Sequence, residues 1–93
     1  MATWIWDPKK AASNLKKHQV SFTLAERALD DPLALTDLDP QEEEERFRTL
    51  GQPSHASSLV LFVVHTYDEA SDSGRIISAR KATANERNDY EGR

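Results

Sequence analysis

The sequence predicts an α+β fold: an antiparallel sheet of four to five strands packed against N-terminal helices, with a further helix at the C-terminus. Three observations predict it. Two early segments carry helix caps and helical spacing, four later segments carry strand patterning in immediate succession, and the last segment opens on a capping box. Strands that follow one another without intervening helices favour antiparallel neighbours, because short connections turn the chain back beside itself. Ninety-three residues support one hydrophobic core, so residues 1–93 are expected to form a single domain.

The elements follow in the order β-α-α-β-β-β-β-α. Thr3-Trp4-Ile5-Trp6 is a short β-prone run whose tryptophans cover core or edge, and it stops at Asp7-Pro8, where Asp caps a helix and Pro takes its first position. That helix runs from Pro8 to about His18, with Ala11, Ala12 and Leu15 at helical spacing and Lys10, Asn14 and Lys17 forming a polar, positive stripe on another face. Ser21 caps a second helix carrying Phe22, Ala25, Ala28 and Leu29 on one side, and Asp30-Asp31-Pro32 ends it. Leu33 to Asp37 reads as a strand, and the glutamates after Asp39-Pro40 as a loop. Arg46 to Leu50 alternates and closes at Gly51; Gln52 to Ser58 is a polar turn. Leu59 to His65, the most hydrophobic run, reads as a central strand. The acidic loop Tyr67 to Gly74 leads to a last strand, Arg75 to Lys81. Thr83 then caps a helix from Ala84 to about Glu91, with Glu86 in the capping-box position.

Composition excludes several chemistries. With no cysteine there is no disulfide, thiolate metal site or cysteine nucleophile. The N-terminus lacks a basic segment followed by an apolar stretch, and Leu59 to Val64 is too short to span a bilayer, so a soluble, cytoplasmic protein without a membrane partner is expected. The net charge of -4 is unevenly spread. Residues 1–20 hold one Asp and four Lys, residues 21–45 nine acids and one Arg, and residues 46–93 seven bases and six acids. A basic face built from the first helix and last strand is therefore compatible with an acidic total.

Several blocks together resemble the BrnT toxins. They are Trp6-Asp7-Pro8-Lys9-Lys10, Asn14-Leu15-Lys16-Lys17-His18, Val20-Ser21-Phe22 and Asp30-Asp31-Pro32, then Glu45-Arg46 with Gly51, Leu59-Val60 and Val64-His65-Thr66. The longest is Arg75-Ile76-Ile77-Ser78-Ala79-Arg80-Lys81-Ala82-Thr83, followed by Glu86-Arg87 and Tyr90-Glu91. The resemblance implies a RelE-like fold, a prokaryotic endoribonuclease that blocks translation, and a BrnA-like ribbon-helix-helix antitoxin. It further implies that the pair binds operator DNA through the antitoxin, in a heterotetramer of two toxins and two antitoxins. Three positions depart from the family pattern: Gln19 where the turn after the first helix usually has Gly, Thr23-Leu24 where acids often begin the second helix, and Ser57-Ser58 where Gly-Arg usually precedes the central strand. A catalytically silent module that binds antitoxin as a corepressor is the alternative that Leu24 and the acidic balance motivate.

Metal-free RNA cleavage needs a base for the ribose 2′-hydroxyl, positive charge on the phosphate, and an acid for the leaving 5′-oxygen. Arginine suits the second task because its planar fork meets two phosphate oxygens. Arg80 and Arg46 are the candidates for it, His65 and His18 for proton transfer, and Tyr90 for base stacking or assistance in proton transfer. Lys10, Asn14, Lys17, Arg75, Lys81 and Arg87 are the candidate RNA-binding residues. Strict alternation would point Arg75, Ile77, Ala79 and Lys81 one way and Ile76, Ser78 and Arg80 the other. The Glu42 to Glu45 run is a candidate surface for a basic antitoxin segment. The three histidines lack close ligand spacing, so neither a metal site nor a cofactor is expected.

Overall fold

The computed structural model describes residues 1–40 and 43–92. Its elements are β1 (Thr3–Ile5), α1 (Pro8–His18), α2 (Phe22–Leu29), β2 (Leu35–Asp39), β3 (Arg46–Gly51), β4 (Leu61–His65), β5 (Ser73–Lys81) and α3 (Ala84–Gly92). The sheet order is β1-β5-β4-β3-β2. Strands β2 to β5 form the expected antiparallel meander with β4 at its centre. The sheet becomes mixed at β1, which pairs parallel to β5. Nearly the whole chain separates those two strands, and such a long crossover leaves their relative direction free. The architecture is compatible with a RelE-like toxin fold.

Local chemistry sets the boundaries. Asp7 accepts a hydrogen bond from the Lys9 N–H (2.9 Å) to open α1, and Ser21 Oγ accepts from the Leu24 N–H (3.1 Å) to open α2. Helix α1 closes on Gln19 in the left-handed conformation (φ 59°), its N–H donating to the Leu15 carbonyl. The capping box of α3 is reciprocal: Glu86 Oε1 accepts from the Thr83 N–H and Thr83 Oγ1 from the Glu86 N–H. Strand β2 begins two residues later than expected. Leu33 donates its N–H to Asp31 Oδ1 (2.9 Å) and Ala34 to the Asp31 carbonyl (3.1 Å), so both are held in a turn.

Both N-terminal helices lie against one face of the sheet. Val20, Phe22, Ala25 and Ala28 pack there on Leu61, Val63, Ile76 and Ala79. Alanines in α2 let the helix backbone approach β3 so closely that a Cβ at Gly51 would stand 2.2 Å from the Ala28 carbonyl oxygen.

Two departures from simple periodicity position the rest. The inward side of α1 is centred on Asn14, while Leu15 is half exposed. Strand β1 pairs only with Ser73 to Arg75, so beyond it β5 has no neighbouring strand on that side. Asn14 fills the gap. Its Nδ2 donates to the carbonyls of Ala79 (2.8 Å) and Val20 (2.9 Å), and its Oδ1 accepts from the Ala79 N–H (3.1 Å). The second departure is a bulge in β5: Val64 opposes Ser78 but His65 opposes Ile76, leaving Ile77 as the extra residue. Ile76 and Ala79 therefore both face the core, and Arg75 turns to the side of Ser78 and Arg80, contrary to strict alternation.

Replacing Asn14 by Ala strands three buried backbone groups, and we expect a loss of about 3 kcal/mol in urea unfolding. Gln19→Gly removes the left-handed penalty of a side-chain-bearing residue and should raise stability by about 0.5–1 kcal/mol in the same assay.

Candidate functional site

The sheet face away from α1 and α2 is lined with arginine. Register places Leu50, Phe62 and Arg80 in one row, and Asp37, Arg48, Val64 and Ser78 in the next. Asp39 and Arg46 follow, with Arg75 beyond the bulge. Four arginines from β3 and β5 thus share one surface with apolar side chains between them. Arg48 was not among the candidates from sequence, although the Arg46-Phe47-Arg48 alternation carried the signal that it shares a face with Arg46.

Arg46, Arg75 and Arg80 each meet a carboxylate close by. Arg80 lies 4.1 Å over the Phe62 ring and donates two parallel bonds to Glu86, Nη1 to Oε1 (2.8 Å) and Nη2 to Oε2 (3.0 Å). Those bonds hold the Glu86 carboxyl below its ordinary pKa, against the opposing effect of its partial burial. Arg75 Nη2 donates to Glu44 Oε1 (2.6 Å), which also stands 3.7 Å from Arg46 Nε. Arg48 is exposed opposite Asp37. Helix α1 extends this charge beside β5: Lys10, Lys17 and His18 line a shallow depression of about 220 Å³ with Ile77 and Ser78. Arg87 is exposed on α3, and exposed Lys81 ends β5 in register with core-facing Leu61.

Three sequence candidates are buried away from this surface. Asn14 lies buried beneath the stripe that holds Lys10 and Lys17, its amide committed to backbone, and it is a structural residue. His65 faces the helix-covered side with Leu61 and Val63, opposite the arginines. Its Nδ1 lies 3.0 Å from the Thr66 carbonyl, which only accepts, so that nitrogen carries the proton. Burial lowers the pKa and favours the neutral ring, while the Thr66 bond opposes the shift. Nε2 then accepts from Thr49 Oγ1 (2.7 Å), and Thr49 in turn accepts from Thr36 Oγ1 (2.8 Å). Both ring nitrogens are committed, on the side of the sheet opposite the arginines.

Tyr90 is also buried. Its hydroxyl donates to Asp31 Oδ2, whose carboxylate accepts further bonds from the Gln52 N–H (2.8 Å), the Leu33 N–H and His55 Nε2 (2.9 Å). Burial pushes the Asp31 carboxyl up, but these bonds together outweigh it and hold the pKa at about 2. The cluster fastens α3 to the end of α2 and the turn after β3. Glu42 lies outside the described residues; Glu43 and Glu45 are exposed. Among the described residues no three His, Asp or Glu side chains converge as metal ligands. No helix of the described residues is long and apolar enough to cross a membrane.

Behind His65 the helix-covered side opens into a cleft of about 310 Å³, lined by Trp4, Phe47, Tyr67, Thr36, Thr49 and Asp72 among others. The Trp4 ring meets His65 edge-on at 5.0 Å, and Phe47 stacks on His65 at 5.9 Å.

Acid should destabilise the protein in two windows. The unfolded chain protonates its histidine near pH 6.5 while buried His65 resists, so stability falls as pH drops below about 6.5. Asp31 contributes stability that is full above its unfolded pKa of about 3.9 and lost as pH falls through about 2. We expect Tyr90→Phe to cost about 1–2 kcal/mol and to move the second window upward in pH-dependent unfolding, with RNA cleavage per folded molecule unchanged.

Comparison with protein families finds that residues 6–86 match the model of the ribonuclease toxin, BrnT, of type II toxin-antitoxin system. Comparison with curated protein sequences finds no match. The matched span holds the four sheet arginines, the α1 lysines, His18 and the Arg80–Glu86 pair, and stops short of Tyr90. The chain therefore belongs to the BrnT family of ribonuclease toxins of type II toxin-antitoxin systems.

Proposed function

We propose that the chain is a metal-independent endoribonuclease that cuts RNA on the arginine face and so inhibits translation in the prokaryotic cytoplasm. The observation that carries this reading is the gathering of Arg46, Arg48, Arg75 and Arg80 on one sheet face, bordered by Lys10, Lys17 and His18. Fixed cations of this kind neutralise a phosphate as it becomes more anionic. In the reaction the ribose 2′-oxygen bonds to phosphorus and the bond to the 5′-oxygen breaks. One group takes the 2′-hydroxyl proton and another supplies a proton to the leaving oxygen. Of the two histidine candidates, His18 is the one beside Ser78 at the border of this face, so it is assigned a proton-transfer step. Arg80 stabilises the phosphate, which competes with Glu86 for its fork, while Arg48 and the two lysines track the backbone.

Type II toxins act with an antitoxin. The partner proposed here is a BrnA-like ribbon-helix-helix protein, in a two-to-two complex that binds operator DNA through the antitoxin. The second reading, a silent corepressor module, has one observation in its favour: the Arg80 fork is filled by the chain's own Glu86.

Expression of the chain without antitoxin should arrest bacterial growth with decay of total RNA. Purified protein should cut RNA equally well with chelator present, and Arg80→Ala should slow cleavage by about a hundredfold. Unimpaired growth despite soluble protein, with RNA intact, would select the silent module.

A further inference from the structure

The cleft behind His65 is unlike the rest of the surface in both shape and charge. Its walls are the rings of Trp4, Phe47 and Tyr67, and no lining side chain is cationic once His65 is neutral. Acids gather around it instead. Asp72 lines the cleft in a left-handed turn (φ 49°) and accepts the Tyr67 hydroxyl bond at 2.6 Å. Asp68 and Glu69 share its loop, and with Asp72 they push the Tyr67 phenol pKa up, the Asp72 hydrogen bond contributing most. Glu43 and Glu45 are exposed on the connection into β3, at the end of the sheet that carries Phe47 and His65. This negative setting disfavours nucleic acid and favours a cation.

Two other features stand beside the cleft. The Trp4 indole N–H is buried and, among the described residues, has no hydrogen-bond partner, a cost that a purely structural pocket has no reason to carry. Leu38, opposite Phe47 on edge strand β2, is 53% exposed, which offers apolar surface directly beside the rings. Aromatic faces next to a carboxylate match an arginine side chain, whose flat guanidinium stacks on rings while it pairs with the acid.

We propose that the aromatic cleft of Trp4, Phe47, Tyr67 and Asp72 is a socket for an arginine on a basic segment of the antitoxin, with Leu38 meeting an apolar neighbour of that arginine. This inference rests on the antitoxin reading above and names the surface used. It puts this antitoxin contact on the side of the sheet opposite the arginine face.

The test is calorimetric titration of the antitoxin into the intact chain and into the variants Asp72→Asn and Tyr67→Leu. Each variant should lose about tenfold or more in affinity, with RNA cleavage and melting temperature within error of the parent. Replacing antitoxin arginines one at a time should reveal one whose loss is non-additive with Asp72→Asn. Trp4 fluorescence, read in a Trp6→Phe background, should change on binding. Parent-like affinity in both variants would overturn the socket while leaving the antitoxin reading intact. Absence of any antitoxin binding to the parent would overturn both. Loss of RNA binding with antitoxin affinity retained would overturn the socket in favour of a nucleobase pocket.

Discussion

Strand β5 carries more obligations than any other element, and how its backbone is satisfied shapes the molecule. It is paired along one side by β4 and on the other by a strand of three residues, which leaves the peptide groups near Ala79 at an open edge beside a hydrophobic core. Buried peptide groups without partners are costly, and no strand is present there to supply them. The Asn14 amide supplies both a donor and an acceptor. That contact fixes the height and rotation of α1 against the sheet, and with it the place of Lys10, Lys17 and His18 along the border of the arginine face. The basic stripe of the helix and the arginines of the strands are joined through one buried amide.

Strand parity then divides the chemistry. Arg46 and Phe47, His65 and Thr66, Gly74 and Arg75 are neighbours in the chain, yet each pair faces opposite sides of the sheet. One side gathers guanidinium groups on an open surface, the other gathers rings and a neutral imidazole beneath acids. The bulge at Ile77 is needed for this division, since without it Arg75 would lie on the side of Ala79. A sheet used in this way gives a small chain two surfaces of opposite electrostatic character, despite a net charge of -4.

Carboxylates restrain the arginine face. Glu86 serves both as the capping-box acid of α3 and as the bidentate partner of Arg80, so the last helix and the β5 arginine share one side chain. Glu44 similarly stands between Arg46 and Arg75. Like charges on neighbouring strands repel, and these acids make the cluster tolerable. The far end of α3 is fastened separately by the hydroxyl of Tyr90 on Asp31.

All eight elements and their order were legible from caps and periodicity, because Asp7-Pro8, Ser21 and Thr83 with Glu86 act within a few residues of where they stand. The left-handed turn at Gln19 falls where the family pattern usually has Gly. The shared face of the arginines was legible in part: parity alone puts Arg80 beside Ser78, and Arg46 beside the overlooked Arg48. What the sequence could not show was which polar residue would be spent on the fold. Asn14, His65 and Tyr90 all looked like chemistry, and each is consumed by a partner distant in the chain: Ala79, Thr49 and Asp31. Local spacing thus determined the elements and the faces of regular strands. Only the tertiary structure decided the parallel pairing of β1, the bulge in β5 and the fate of the buried polar groups, because those depend on backbone and side-chain hydrogen bonds closed between distant segments.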